Sequence, residues 1–230
     1  MIDHLVRWFG ADPSWNRLGP QLGEAFGDTL WMVLVTIVFG GVLGLILGVV
    51  LYCSRPSGLL ENRLAHIVLN VAVNVVRPIP FVLLVAALGP ITLGLIHTTI
   101  GVQAAVFVMV VSAAFAIARI VEQNLVTIDP GVIEAARAVG AGPLRIIVTL
   151  LIPEALGPLI LGYTFVLVGV VDMSAMAGVV GGGGIGDFAI TYGYNRFRWD
   201  VTLVSVLIII VFVQLAQFLG NYLARKALRR

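Results

Sequence analysis

Thr29 to Ser54, TLWMVLVTIVFGGVLGLILGVVLYCS, is a run of 26 residues without a charged side chain. A helix needs about 20 mostly apolar residues to cross the hydrocarbon core of a bilayer, so this run predicts a membrane-spanning helix. The rest of the chain agrees, because 60% of its 230 residues are hydrophobic and only 11% are charged. Since a soluble domain is about 25% charged, the composition excludes an ordinary soluble protein.

Four further apolar segments follow this run. They are predicted as spans over about 65–89, 99–121, 155–180 and 201–224. The second and third spans are divided where turn-forming residues cluster, at Gly89-Pro90 and from Gly94 to Gly101. The polar stretch 122–154 and the glycine-rich and polar stretch 181–200 are predicted as connections. The sequence therefore predicts an all-α integral membrane protein with five transmembrane helices.

Arginine and lysine residues are distributed unevenly over the connections. Nine lie in residues 55–66, 119–154 and 225–230, and four lie in residues 1–28, 90–98 and 187–200. Cytoplasmic connections carry the excess of positive charge, so the N-terminus is predicted outside and the C-terminus in the cytoplasm. The basic residues are thus interpreted as topology anchors, and nucleic acid is not predicted as a partner.

This topology divides the chain into three regions. Residues 1–28 form an extracytoplasmic or interfacial segment, residues 29–224 form the transmembrane domain with its cytoplasmic region 122–154, and residues 225–230 form a basic cytoplasmic tail. Trp8, Phe9 and Trp15 are typical of the headgroup level of a membrane. A short helix on the membrane surface and a tail without function are both compatible with the first segment.

Several kinds of site are excluded by residue type. The only lysine is Lys226, so the chain has no phosphate-binding loop of the G-x-x-x-x-G-K-[S/T] type and no ATP site of its own. Gly181 to Gly186 match G-x-G-x-x-G without a preceding strand, and are predicted to form a tight extracytoplasmic turn that faces a partner. The single cysteine and three scattered histidines give no metal-ligand spacing. The chain is therefore predicted to be no enzyme and to bind no cofactor.

A short helix is predicted inside the cytoplasmic region. Asp129-Pro130 is a start signal, because aspartate caps a helix and proline suits its first position. The segment from Gly131 to Val139 can make two or three turns before Gly140 and Gly142-Pro143 end it. From composition alone, this helix is an ordinary amphipathic connector in which Glu134 and Arg137 form a weak surface pair.

Arg77 and Asp172 are ionisable residues inside the predicted spans. A charge near the bilayer centre costs about 2.5–3.5 kcal/mol on insertion scales, so each is expected to face protein or water. Arg77 precedes Pro78 and Pro80, which predict a bend in the second span at a translocation path; reaching the interface with its long side chain is the alternative role. Asp172 lines the path or pairs with a neighbouring helix.

Two further groups of residues lie in the same apolar segments. Asn70 and Asn74 have helical i,i+4 spacing, which predicts hydrogen bonds between helices. Met176 stands among small residues that include Ser174. A flexible thioether there is a candidate gate of a narrow path, and plain packing is the equally weighted alternative.

The spacing in the cytoplasmic region is similar to a known motif. Glu134-Ala135-Ala136, three residues, Gly140, nine residues and then Leu150-Leu151-Ile152-Pro153 resemble the coupling motif of ATP-binding-cassette importer permeases. Other stretches resemble the methionine-type permeases of that family, from about residue 25 to the end of the chain. They are Val76-Arg77-Pro78-Ile79-Pro80-Phe81, Ser174 to Gly178, Gly181 to Gly186 and Tyr192-Gly193-Tyr194.

The resemblance implies a membrane subunit of an importer in the bacterial inner membrane. It implies a homodimer that works by alternating access, two cytoplasmic ATPase subunits that bind ATP and Mg, and an extracytoplasmic substrate-binding lipoprotein. Glu134 would contact polar groups of the ATPase, while Ala135, Ala136 and Gly140 would permit its close approach. Ser174, Met176, Arg77 and Asp172 are the candidate residues of the path or gate.

A second class of function is compatible with the same residues. An ion-coupled secondary transporter or channel subunit would use Asp172 as its proton or ion site, and it would need no ATPase. A structural membrane scaffold is a third interpretation. Co-purification of an ATPase, and uptake that survives an uncoupler, distinguish the importer from the ion-coupled transporter.

Overall fold

The computed structural model describes residues 14–228, and these residues fold almost entirely into helices. The α-helices are, in chain order, α1 (Trp15–Val35), α2 (Gly41–Cys53), α3 (Arg63–Val76), α4 (Phe81–Ala87), α5 (Gly89–Ile96), α6 (Val102–Val126), α7 (Pro130–Ala138), α8 (Pro143–Ile146), α9 (Ile152–Val179), α10 (Gly184–Phe188) and α11 (Trp199–Leu228). Wider π-helical turns lie at Thr36–Gly40, Ile147–Leu151 and Ala189–Gly193. No strand is found between residues 14 and 228, so the predicted all-α class is confirmed for this part.

Four helical stretches among the described residues are long and apolar enough to cross a membrane. They are Trp15–Cys53, Val102–Val126, Pro143–Val179 and Trp199–Leu228. A fifth is obtained if α3 and α4, which are interrupted between Val76 and Phe81, count as one broken span. Four or five spans agree with the predicted five, and the interruption lies where Pro78 and Pro80 predicted a bend.

Several predicted boundaries are wrong, and the fourth span, predicted from about 155, belongs to a helical stretch that already begins at Pro143. The first span was expected to begin at Thr29, but the helix already begins at Trp15 and includes Arg17, Glu24 and Asp28. The segment after Gly89 was expected to be a loop, but it forms α5, in which Pro90 occupies the first turn. Proline lacks only a donor that the first turn leaves unpaired, so it begins this helix instead of breaking it. The expected interfacial aromatics Trp8 and Phe9 lie outside the described residues.

The chain divides into two compact units. The first contains residues 14–35, Phe81–Met109 and Val170–Leu215. Its apolar core consists of buried side chains from α1, α10 and α11, namely Leu18, Ala25, Ile185, Phe188 and Val201. The backbone N–H of Ile185 donates to Thr29 Oγ1 at 2.9 Å, which fixes α10 against α1.

Most of the glycine-rich stretch belongs to this core, contrary to the predicted loop that faces a partner. Gly182, Gly184, Ile185 and Gly186 are buried. Gly184 has a φ of +83°, and a Cβ there would lie 2.7 Å from Met32 Cε. Only glycine therefore combines this backbone conformation with such close packing. The turn itself is present, since α9 ends at Val179 and α10 begins at Gly184.

The second unit contains Thr36–Pro80, Val110–Gly169 and residues 216–228. Glycines at four-residue intervals on the first span bring its backbone close to α6: a Cβ at Gly44 would lie 2.6 Å from Ile117 Cβ, and one at Gly48 would lie 2.6 Å from Val121 Cβ. Small residues at this spacing let two membrane helices approach closely. Leu51, Val73 and Ala118 join α2, α3 and α6 in a small buried cluster.

Candidate functional site

The helix α7 begins at the residues that predicted its start. Asp129 is the N-cap, and its Oδ1 accepts a hydrogen bond from the backbone N–H of Gly131 at 2.8 Å. Pro130 occupies the first helical position, where its missing N–H leaves no acceptor unpaired. The helix then continues to Ala138. The short helix predicted within residues 122–154 is therefore confirmed.

The other end of α7 is closed by Gly140. This glycine has a φ of +81°, and its N–H donates to the Arg137 carbonyl at 2.9 Å. The N–H of Ala141 donates to the Ala136 carbonyl at 3.1 Å, which completes the paired bonds of a Schellman motif. A Cβ at Gly140 would meet no atom of the chain within 4 Å. Within the chain, the backbone conformation and not crowding requires glycine here.

One face of α7 packs against the chain and the other is exposed. Ile133 is 8% exposed and anchors the helix. Glu134 and Ala135 are exposed, as is Val139, whose side chain is 84% exposed. Arg137 donates to the Gly58 carbonyl at 3.2 Å, and the expected pair with Glu134 is not found. The helix thus presents small and acidic residues outward, while its arginine is used within the chain.

Three candidate path residues lie near the C-terminal end of α9 and differ in exposure. Ser174 is 1% exposed and donates to the Val171 carbonyl at 2.7 Å, so it faces inward. Asp172 is exposed, and Met176 is 38% exposed one helical turn later. No hydrogen bond or ion pair to Asp172 is found among residues 14–228. The structure therefore brings Asp172 and Met176 onto one outward face and separates Ser174 from them.

The fourth path candidate, Arg77, lies at the interruption between α3 and α4. Its backbone N–H donates to the Val73 carbonyl at 3.1 Å and ends α3. Its side chain is exposed, and within the described part of the chain the guanidinium has no hydrogen-bond or ion-pair partner. Arg77 thus resembles Asp172 in carrying an exposed charge next to or within apolar helices.

A polar cluster that the sequence did not identify lies between α3 and α6. Arg119 forms an ion pair with Glu122 on its own helix, and each side chain is 15% exposed. Arg119 Nη2 also donates to Asn70 Oδ1 at 2.9 Å and to Asn74 Oδ1. Asn70, Asn74, Arg119 and Glu122 are called the Arg119 cluster below.

The sequence contains the residues of the Arg119 cluster, but the asparagines and Arg119 were interpreted separately. The i,i+4 asparagines predicted a hydrogen bond to another helix, and this prediction is confirmed. The charge count assigns Arg119 to the connection 119–154 instead, although α6 continues past it to Val126. An arginine followed by a glutamate three residues later is typical of a charge that is neutralised on its own helix.

No group of three or more histidine, cysteine, aspartate or glutamate side chains that could hold a metal ion is found between residues 14 and 228. The arrangement consists instead of an exposed capped helix, two exposed charges and one internal polar cluster. The exposed helix and the exposed charges are suited to binding another molecule and not to catalysis by a metal ion.

Comparison with known proteins places the chain among transport components. Residues 40–229 match the family model described as binding-protein-dependent transport system inner membrane component. The chain is 41% identical over 222 residues to the probable D-methionine transport system permease protein MetI of Vibrio cholerae, with 96% of each chain covered. It is 39% identical over 211 residues to the corresponding protein of Pasteurella multocida, covering 90% of this chain and 97% of that protein.

A solved structure gives the same result for the fold. The MetNI methionine ABC transporter, determined in inward-facing conformations, contains a chain that superposes with a TM-score of 0.87 at 37% identity. The superposition covers 94% of this chain and 99% of that chain. The similarity therefore extends along nearly the full length of both proteins.

Proposed function

Because the chain belongs to the family of binding-protein-dependent transport system inner membrane components, we propose that it is the permease subunit of an ATP-driven importer of methionine. The observation that carries this proposal is the similarity to D-methionine permeases along 96% of the chain. Related amino acids are further candidate substrates, since selection would rest largely on the partner that delivers them.

The proposed assembly contains partners on both sides of the bacterial inner membrane. Two copies of this chain enclose the path, since five spans are too few to surround one. Two cytoplasmic ATPase subunits bind ATP and Mg, and a substrate-binding lipoprotein delivers methionine from outside. The chain itself is not an enzyme. In this arrangement the N-terminus is outside, and residues 122–154 and the C-terminal tail are in the cytoplasm.

The exposed face of α7 is the proposed contact with the ATPase. Glu134 is exposed and carries no partner within the described part of the chain, so it is available for polar groups of another protein. Ala135 and Ala136 leave room for close approach, and Gly140 fixes the end of the helix. ATP-driven movement of the partner would therefore displace α7 and the helices attached to it.

Met176 is the proposed gate of the path, with Asp172 and Arg77 along it. A 38% exposed thioether beside small residues can contact its counterpart in a second copy and close a narrow passage. Ser174 is 1% exposed and donates to the Val171 carbonyl of the same helix, so it lies behind this face. Met176→Ala is expected to make the path leaky to methionine in the absence of ATP.

Reconstitution tests this function directly. The chain, its ATPase and its binding lipoprotein are placed in vesicles, and uptake of labelled methionine is measured with and without ATP. ATP-dependent uptake that survives an uncoupler is the expected result. Uptake that follows an ion gradient and needs no ATP would favour the ion-coupled transporter with Asp172 as its site, an alternative that no comparison supports.

A further inference from the structure

The Arg119 cluster joins α3 and α6 by hydrogen bonds that involve a charge. The Arg119 guanidinium donates to the amide oxygens of both Asn70 and Asn74, and Asn74 Nδ2 donates back to Asn70 Oδ1 at 3.2 Å. The two bonds that Arg119 donates are charge-assisted, and such bonds are about twice as strong as neutral ones. The Arg119 side chain is 15% exposed and Asn74 is exposed, so water competes more for the bond to Asn74 than for the bond to Asn70.

Apolar packing alone holds α3 weakly. Val73 is the one buried residue among the fourteen of this helix. Val71 and Val75 are 54% and 58% exposed, which is typical of a face turned to lipid. Lipid tails are as apolar as these side chains, so burial against lipid does not fasten one helix to another. The polar contacts of α3 therefore contribute to what it moves with; besides those to α6, His66 Nδ1 lies 3.2 Å from the Leu51 carbonyl oxygen of α2.

A second contact connects the start of α3 to α7. Arg137 on α7 donates to the carbonyl of Gly58, in the loop that precedes α3. The chain also passes from α6 to α7 through only three residues, 127–129. The loop, α3, α7 and the part of α6 from Val110 onward belong to the second compact unit, whose first segment ends at Pro80, the last residue of the interruption between α3 and α4. Thus α3, this part of α6 and α7 are linked pairwise within one unit.

We propose that Arg119 is a positioning residue for transport, which fastens α3 to α6 so that a displacement of α7 is transmitted to α3 and to the interruption at Arg77. Glu122 neutralises the arginine and fixes its orientation. This inference rests on the proposed function, since it requires α7 to be moved by an ATPase. In this proposal, Asn70 and Asn74 are the hydrogen-bond acceptors through which α3 moves together with α6.

The first test removes the acceptors and keeps the volume of the side chains. N70L/N74L is assembled with the ATPase and binding lipoprotein in vesicles, and methionine uptake is divided by ATP hydrolysed. Hydrolysis is expected to stay near the wild-type rate while uptake per ATP falls about tenfold, within the usual range of coupling between sites. The matched control V71A/V75A shortens two exposed apolar side chains of the same helix and is expected to keep the wild-type ratio.

The second test restores the connection covalently. In a C53S background, which removes the only cysteine, N70C/R119C/E122Q replaces the polar link by two thiols and leaves no unpaired carboxylate. Uptake per ATP is expected to be low in the untreated variant and to recover after a short bifunctional thiol reagent joins the two cysteines. A merely structural role of Arg119 predicts no recovery of this ratio.

The outcomes separate the two proposals. A wild-type assembly without ATP-dependent uptake overturns the proposed function and this inference with it. A wild-type assembly that imports, together with an N70L/N74L variant of unchanged uptake per ATP, overturns the role of Arg119 alone. Equal losses of hydrolysis and uptake, or a verified crosslink without recovery, overturn it as well.

Discussion

Arg119 and Asp172 are both ionisable side chains within long apolar helices, and the structure accommodates them in opposite ways. Arg119 is 15% exposed and has three partners, Glu122, Asn70 and Asn74. Asp172 is exposed, and none of residues 14–228 forms a hydrogen bond or ion pair with it. The two positions are equally unusual in sequence but differ in what surrounds them.

The difference separates a charge that is paired within the chain from a charge that is available to another molecule. A charge without a partner is unfavourable in hydrocarbon, so Asp172 is expected to face water or a second protein in the membrane. A charge with three internal partners needs neither. Glu134 on α7 belongs with Asp172, since its side chain is also exposed. Mutations of Arg119 should therefore affect stability as well as transport, whereas mutations at the exposed positions should affect function with little loss of stability.

The largest effect is expected from Arg119→Ala. This change leaves the partly buried Glu122 carboxylate without its cation, so the cost is expected to lie between the about 1 kcal/mol of a surface pair and the about 3–5 kcal/mol of a fully buried one. Denaturant unfolding of the purified chain in detergent measures the loss. R119M/E122M, which removes both charges, is expected to recover most of it. If Arg119→Ala lowered the unfolding free energy by less than about 1 kcal/mol, the value of a surface pair, Arg119 would contribute no more to stability than the exposed Asp172.

The next effect is expected from Ala135→Trp on the exposed face of α7. Unfolding should change by no more than about 0.5 kcal/mol, as for most surface positions. Binding of the ATPase subunit should weaken at least about tenfold, or 1.4 kcal/mol, because the indole prevents close approach. Leu64→Trp, at a position that is 73% exposed elsewhere in the same unit, is the control. Unchanged binding by the Ala135 variant would remove α7 from the interface.

A smaller effect is expected from Asp129→Ala at the start of α7. The lost cap hydrogen bond to Gly131 costs about 1 kcal/mol and should loosen the first turn. Hydrogen exchange of the amides of residues 131–133 is expected to become faster. Asp129→Asn keeps the acceptor and should exchange like the wild type. Equal exchange in all three proteins would mean that packing of Ile133, and not the cap, maintains this helix.

The smallest effect on stability is expected from Asp172→Asn. Since the carboxylate has no partner among the described residues, the unfolding free energy should change by less than about 0.5 kcal/mol. ATP-dependent methionine uptake should nevertheless fall, because the proposal places this side chain on the path. Val179→Ala, on an exposed position of the same helix, is the control. A loss of stability above about 2 kcal/mol would indicate that Asp172 has a partner within the chain, as Arg119 has, and would contradict the difference between the two residues.

Local signals predicted α7 completely, whereas tertiary contacts decided the regions that were missed. Asp129, Pro130 and Gly140 each act within one turn of their own position, so their effect can be read from neighbouring residues. The start of α1 could not be predicted from its charged residues. Its first half packs through Leu18 and Ala25 against α10 and α11, and these contacts stabilise a helix that contains Pro20.

The glycine-rich stretch shows the same limit. Glycine predicted a turn, and one is present between α9 and α10, but sequence alone does not indicate what the backbone approaches. A Cβ at Gly182 would lie 2.7 Å from the Ala177 carbonyl oxygen, so the chain folds back against α9. The outward positions of Met176 and Asp172 likewise depend on which side of α9 is covered, and their proposed roles remain predictions.

The length of α7 has a consequence for the strength of the assembly. Nine residues form a rod of about 13.5 Å, which offers far less area than the roughly 1,600 Å² of a stable interface. A pair of such rods would have to bind together, so that the first attachment raises the effective concentration for the second. Avidity would then depend on the distance between the two copies of α7. A transport cycle that changes this distance would also change how strongly the ATPase subunits are bound.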